Sequence, residues 1–449
     1  MHRKLFTAAI VACLATPVYA LDLMEAYEAA LANDPAFRSA LKESQAGEAG
    51  RVIGRSFLMP RLSGNYNWLQ NDSNISGPAF TGGPTTNASL AYPSVSAGAQ
   101  LTQPLFNLQA LAQYRQAMAL SDQSQAKFLY QTQDLLVRVL QAYTDLLYAH
   151  DDLSYLKTQR DAYKEQVKVN KRTLEKGEGT VTDQLESLSV YELSEAQVIE
   201  AEDSLENAKR KLEALIGYTL TSTDALKKIR VKFKPADAAP ANYAALRDDA
   251  LANNVELIAM RHQVEGARQD YLRNQSAHVP TVGMVAGWNL QQSNFVSSIY
   301  QNANTTSVGV QVSIPVFSGG EIAGRAAQSR ANFEKAQADF DVLKNRVLIE
   351  LRKQYDLVLS SQKRIAALER AVESSFELTK AMRSSVRGGV RINLDVLLAE
   401  KNLATAQRNL AQAKYNFMLA NLKMRQQAGN LTLADLEKTA LNFVTDKPK

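Results

Sequence analysis

The chain has 449 residues, 45% hydrophobic and 22% charged, with 51 Lys and Arg against 46 Asp and Glu for a net charge of +5. The two signs interleave throughout, which excludes a nucleic-acid face, and no apolar run long enough for a bilayer-crossing helix follows the N-terminal region. His2, His150, His262 and His278 lack zinc spacing, and neither a phosphate loop nor a nucleophile elbow occurs, so the chain reads as no enzyme, with no metal and no cofactor.

Residues 1–20 read as a signal peptide. His2, Arg3 and Lys4 supply the positive end, Leu5 to Leu14 an apolar core too short to span, and Val18-Tyr19-Ala20 the cleavage site. The single cysteine, Cys13, leaves with this segment. An alternative takes Ile10-Val11-Ala12-Cys13 as a lipoprotein site. Either route carries the protein out of the cytoplasm.

Leu21 to Met59 has a helical pattern broken at Asn33-Asp34-Pro35. After Pro60 the apolar period drops to two. Leu62, Gly64, Tyr66 and Trp68 alternate with Ser63, Asn65 and Asn67. A polar stretch from Asp72 to Pro93 reads as a loop, and Val95, Ala97, Ala99 and Leu101 alternate again. Val282, Met284, Ala286, Trp288 and Leu290, then Val308, Val310, Val312 and Ile314, repeat this hairpin. Strands of about ten residues cross a membrane when tilted. A soluble hairpin with one buried face is the alternative for either pair alone. Two hairpins in an exported chain, each with Trp on the apolar face, point to outer-membrane lipid, with Tyr66, Trp68 and Trp288 in the aromatic girdle. Four strands do not close a barrel, and open edges are forbidden in lipid, so the membrane reading requires further copies of the chain.

Neither Pro nor Gly occurs from Leu105 to Lys176, or from Arg325 to Arg387. Helices of about 70 residues, roughly 105 Å long, are expected there. Gly177-Glu178-Gly179 and Gly388-Gly389 mark the turns. The returning segments carry heptad seams: Tyr191, Val198, Leu205 and Leu212 with Ser187, Ser194, Ala201 and Ala208, then Val396, Leu403, Leu410, Phe417 and Met424 with Ala399, Ala406, Ala413 and Ala420. They stop at Gly217 and Gly429.

These matches make the chain a duplication. Gly177 aligns with Gly389, Asp183 with Asp395, Gly217 with Gly429, Pro104 and Phe106 with Pro315 and Phe317, and Ala30-Leu31-Ala32-Asn33 with Ala250-Leu251-Ala252-Asn253. The first repeat spans 21–217, a linker with Pro235 and Pro240 spans 218–242, and the second repeat spans 243–429. A tail, 430–449, starts helical and ends in a polar Thr445–Lys449 segment expected to be disordered.

With the duplication, the opening Leu23-Met24-Glu25-Ala26-Tyr27 followed by Asn33-Asp34-Pro35, and the return turn Gly389-Val390-Arg391-Ile392-Asn393-Leu394-Asp395-Val396-Leu397, the chain resembles the TolC-type outer-membrane channel family. The resemblance implies an α plus membrane-β fold: a homotrimer with a twelve-strand β-barrel continued by a twelve-helix α-barrel in the periplasm. It implies an exit channel served by a periplasmic adaptor (membrane fusion) protein and an inner-membrane ABC or proton-driven transporter. The short linker favours type I protein secretion over the alternative of multidrug efflux. It places Asp395 in an acidic ring at the periplasmic gate and Arg391 and Asp183 in an interhelical link. The alternative is that both aspartates are helix N-caps. Leu398 and Val386 depart from the family pattern, where a second acidic ring and a gating Tyr would stand. Lys176, Gly177, Glu178, Gly388, Gly389 and Val390 match adaptor-contacting tips, though the glycines also serve the turns themselves. A reading of another class remains: a secreted coiled-coil structural protein without a pore.

Overall fold

A computed structural model describes residues 21–77, 86–220, 227–229, 233, 242–293 and 301–444. The expected signal peptide with Cys13, most of the linker and Thr445–Lys449 lie outside the described residues. Two helices, α1 (Leu23–Asn33) and α2 (Pro35–Ser56), precede strands β1 (Arg61–Gly77) and β2 (Thr86–Phe106) and helices α3 (Leu108–Glu175) and α4 (Val181–Ile216). A two-residue strand, β3 (Lys228–Ile229), follows. The same series then recurs as α5 (Tyr243–Asn253), α6 (Val255–Gln275), β4 (Thr281–Ser293), β5 (Gln301–Ser313), α7 (Glu321–Arg387) and α8 (Asn393–Ala428). The chain closes with α9 (Leu433–Ala440) and β6 (Phe443–Val444), which pairs antiparallel with β3.

Local chemistry sets these boundaries. Asp22 and Glu25 form a capping box that starts α1. Asp34 ends it, its N–H bonded to Ala30 O, and its carboxylate accepts the Phe37 N–H at 3.1 Å to open α2. With no Pro or Gly inside α3, and in α7 only Gly324 in the first turn, the two helices run for 68 and 67 residues, about 100 Å each at 1.5 Å per residue. The helix after the first hairpin begins at Leu108 rather than Leu105. β2 continues through a bulge between Pro104 and Phe106, and the Asn107 carboxamide accepts the Ala110 N–H at 2.9 Å to cap the helix.

The chain divides into two compact units, each drawing on both halves of the sequence. One comprises Met1–Ser39, Tyr130–Asn254 and Arg346–Lys449; the other comprises Ala40–Leu129 and Val255–Asn345. In the first, Leu23, Leu140, Tyr143, Leu212, Ile216, Leu351, Phe417 and Leu436 form one buried core. The heptad seams point inward there: Ser187, Ser194, Ala201 and Ala208 on α4, and Ala399, Ala413, Phe417, Ala420 and Met424 on α8, are buried. Polar contacts tie α4 to α3 (Lys157–Glu202, 2.9 Å), α3 to α8 (Arg408–Asp152, 2.5 Å; Lys401–Tyr163, 2.6 Å) and α8 to α7 (Arg383–Glu400, 2.7 Å).

The duplication is visible in hydrogen bonds. Asn33 donates its side-chain amide to Ile216 O at the end of α4, and Asn254 donates to Gln427 O at the end of α8, both at 2.9 Å. Each satisfies a last-turn carbonyl that the helix itself leaves orphaned. The repeats differ by one residue here, because Asn33 aligns with Asn253 while Asn254 does the capping. Between the repeats, the buried Tyr143 hydroxyl donates toward Leu21 O (3.0 Å) and Lys227 O (3.2 Å) and accepts the Lys227 N–H. Its ring meets Phe443 edge-on at 5.3 Å. One side chain thus gathers the N-terminal segment, the linker and the tail.

In the second unit the four long strands form an antiparallel sheet in the order β1-β2-β4-β5. They are longer than the ten residues expected: 17, 21, 13 and 13. The expected Asp72–Pro93 loop is therefore shorter than its composition suggests, since Asp72–Gly77 pairs with Thr86–Ala91. Ladder bonds use backbone groups, so an Asn- and Ser-rich segment forms strand when its partner is adjacent. Above the Ser94–Ser293 pair, β1 and β2 continue among the described residues.

Candidate functional site

Cross-strand register decides which residues share a face. Leu62 lies opposite Leu101, Leu101 opposite Ala286, and Ala286 opposite Val308. The next pairs up run Gly64–Ala99–Trp288–Thr306, then Tyr66–Ala97–Leu290–Asn304. All four alternating sets therefore fall on one face, and Ser63, Asn65, Ser96, Gln100, Ser307 and Gln311 on the other. The apolar face is open: Leu62 is 75% exposed, Val308 74% and Val310 65%. Along β4 it runs from Val282 to Leu290, about 27 Å, or about 20 Å once tilted by about 40°, near the apolar band of about 25 Å in membrane barrels. Both edges of the sheet, β1 and β5, have a partner on one side only among the described residues.

Tyr66, Trp68 and Trp288 stand on this face in neighbouring rungs at its loop end, all exposed, and Trp288 donates its indole N–H to Asn304 at 2.7 Å. The opposite end carries an apolar group that sequence reasoning passed over. Leu105, Phe106, Val316 and Phe317 are exposed below the strands, Phe317 by 89%. The signal was present in the Pro104–Phe106 and Pro315–Phe317 match, which served only to mark the repeat.

The two helix-to-helix turns are built alike. Lys176 N–H bonds Arg172 O, Gly177 bonds Leu174 O, and Glu178 bonds Thr173 O; Gly388, Gly389 and Val390 repeat the same offsets to Ser384, Val386 and Ser385. This is a Schellman closure, and Gly177 and Gly389 occupy its left-handed position at φ 73° each. Nothing lies near a Cβ built on either glycine, so backbone conformation rather than space requires them. Lys176, Glu178, Gly388 and Val390 are all exposed at these tips.

The gate candidates sit just past the turns, and the two repeats treat them differently. Thr180, not Asp183, is the N-cap of α4; Asp183 is the third helical residue of a capping box. Its carboxylate accepts the Thr180 hydroxyl at 2.6 Å and the Thr180 N–H at 3.2 Å, and these bonds hold it below the usual carboxylate range. In the second repeat the N-cap is Ile392, which has no side-chain acceptor. Asp395 is therefore released from capping, and its recorded ion pair is with Arg391, one turn back, at 3.6 Å. The expected N-cap role thus moves to Thr180 in one repeat and to an apolar residue in the other. The expected Arg391–Asp183 link is not among the ion pairs of the described residues: Asp183 bonds to Thr180 and Arg391 to Asp395. Leu398 is exposed and Val386 half-buried.

Tandem strand pairs with one apolar face, each followed by a helical hairpin of extreme length, define the outer-membrane channel class. The same fold occurs in solved channels: CmeC of Campylobacter jejuni (TM-score 0.74, 16% identity, covering 95% of this chain and 87% of that one) and OprN (TM-score 0.72, 19% identity, 91% and 90%). The profile of the family described as outer membrane efflux protein matches residues 26–218 and 246–430. Among curated relatives, the alkaline protease secretion protein AprF of Pseudomonas aeruginosa is 39% identical over 446 residues, covering 99% of this chain and 92% of the relative. The proteases secretion protein PrtF of Dickeya chrysanthemi is 34% identical over 445 residues, covering 99% and 96%, and TolC of Escherichia coli is 27% identical over 442 residues, covering 95% and 85%. The chain belongs to the outer membrane efflux protein family and is an outer-membrane protein of the TolC type.

Proposed function

We propose that this chain is the outer-membrane exit duct of a type I protein secretion system, working as a homotrimer. The observation that carries the assembly is the sheet: one continuous apolar face whose two edges, β1 and β5, lack an outer partner among the described residues. Lipid offers an edge no hydrogen-bond partner, so β1 of one copy must meet β5 of the next. Three copies give twelve strands and, with the four long helices of each chain, a twelve-helix wall. The exposed apolar side chains of α4 (Leu185, Leu193, Ile199) and of α7 (Phe376, Leu378) supply apolar surface for the neighbouring copy. Two relatives named for protease secretion, aligned over nearly the whole chain, favour protein as cargo over drugs.

In this reading the tips at Lys176–Glu178 and Gly388–Val390 receive a periplasmic adaptor, which couples the duct to an inner-membrane ABC transporter. Asp395 and Arg391 line the closed end, and Tyr66, Trp68 and Trp288 anchor the outer boundary of the membrane band. The purified protein should run as a heat-modifiable trimer and conduct ions in planar bilayers; a soluble, non-conducting monomer removes the channel. Deleting the gene should abolish export of one secreted protein. A deletion that changes only drug sensitivity transfers the assignment to efflux.

A further inference from the structure

We infer that α2 and α3, just beneath the sheet, form a binding groove for the phosphate headgroup of an anionic phospholipid. The groove, about 240 Å³, is lined by Arg51, Val52, Arg55, Tyr114 and Met118. All five belong to the sheet-bearing unit. Close approach of the two helices shapes it: a Cβ on Gly54 would lie 2.5 Å from Ala117 Cβ, so α2 rests directly on α3. Arg51 is held across the contact by its ion pair with Asp122. The Arg55 guanidinium and the Tyr114 hydroxyl have no hydrogen-bond or ion-pair partner among the described residues. Two guanidinium forks and a phenol therefore face one groove with donors to spare. Planar forks match phosphate oxygens two at a time. Val52, 69% exposed, and Met118 supply an apolar wall for the glycerol and upper acyl chain.

Position selects lipid over a free anion. Arg55 precedes the end of α2 by one residue, and β1 with its apolar face begins at Arg61. Tyr114 lies six residues into α3, about 9 Å below the strands. The headgroup layer beside a hydrocarbon core is about 5–8 Å deep, and arginine side chains reach several ångströms along it. Arg61, stacked 5.2 Å from the Phe57 ring, adds a third cation at the boundary. Exposed Leu105, Phe106 and Phe317 place the membrane edge at the same end of the sheet. The inference rests on the membrane reading of the sheet proposed above.

Native mass spectrometry of the full-length protein, in detergent with equal phosphatidylglycerol and phosphatidylcholine, tests it. The unaltered chain should retain phosphatidylglycerol preferentially. Arg51→Gln and Arg55→Gln should each lower retention about fivefold, and the pair roughly twentyfold, from the worth of single basic residues at anionic membranes. Val52→Glu, an exposed change that leaves both arginines, should weaken retention too and guards against a misfolded double variant. Arg247→Gln, in the other unit, should change nothing. Equal retention of the two lipids, or undiminished phosphatidylglycerol in the double variant, overturns the site. Displacement by inorganic phosphate at matched concentration makes it a free-anion site and equally overturns the lipid assignment. Flotation of the same samples with vesicles separates the two failures: a chain that floats but shows no lipid preference loses the groove and keeps the membrane face, and one that does not float loses both.

Discussion

Asp183 and Asp395 occupy the same place in two copies of one turn, and a single neighbouring residue decides what each carboxylate does. Thr180 draws Asp183 into a cap, while Ile392 leaves Asp395 to Arg391. The cap favours the charged form of Asp183. Its contribution is complete above the ordinary carboxylate value and is lost only as pH falls through the depressed one. The protection of the Asp183 amide against exchange, relative to an unstructured chain, should therefore persist into mildly acidic solution and fall below the usual carboxylate range. In Thr180→Val that protection should be lost at every pH. Arg391→Ser should raise the resting conductance of the reconstituted channel, with little change in melting temperature, because an exposed pair at 3.6 Å contributes little to stability. Unchanged conductance would confine Arg391 to a local contact with its own helix. The aspartates themselves were legible in the sequence, through alignment of the repeats. Their division of labour was not, since it depends on which backbone carbonyl opens each helix.

At the level of single elements, the returning helices end on glycines that do two jobs. Gly217 and Gly429 take left-handed backbone at φ 81° and 79°, and each lets a neighbouring loop approach. A Cβ on Gly217 would stand 2.6 Å from the Asn33 side chain; on Gly429 it would stand 2.2 Å from the Asn253 carbonyl oxygen. A side chain turns aside more readily than backbone. Gly217→Ala should cost about 1–2 kcal/mol from the left-handed conformation, and Gly429→Ala more, seen as a larger fall in thermal midpoint. Tyr143→Phe should cost about 1–3 kcal/mol, because it leaves the buried Leu21 carbonyl and the partly buried Lys227 backbone groups without their partner. Helix extents were readable because Pro and Gly are absent for more than sixty residues at a time. Strand extents were not, because the Asn- and Ser-rich pairing of β1 with β2 has the composition of a loop. The Asn33 and Asn254 caps were hidden as well: each joins positions more than 170 residues apart.

For the whole molecule, the internal duplication was the strongest signal in the sequence, and the structure repeats it from α1–α4 to α5–α8. The two compact units cut across that duplication, and this was out of reach of pattern reading: α3 and α7 each pass from one unit to the other without a break in sequence character. The apolar sheet face supplies the sharpest test of assembly. Val310→Lys places a charge on that face in every copy, at about 2–4 kcal/mol each near the bilayer centre, and should prevent membrane insertion and trimer formation. Gln311→Lys, one residue on and facing the other way, should assemble normally. If both variants inserted equally well, the face would not be a lipid face.

The upper rungs of the first strand pair also bear on the proposed assembly. Beyond the last described rung shared with β4, the first pair climbs through eight more, from Gln70 opposite Pro93 to Gly77 opposite Thr86, about 27 Å further. In the threefold duct proposed above, these rungs of β1 and β2 would recur three times around the outer rim. Antibodies or other large visitors would meet these three projections first, and substitutions within Gln70–Gly77 or Thr86–Ala91 should alter what recognises the cell while leaving what passes through it untouched.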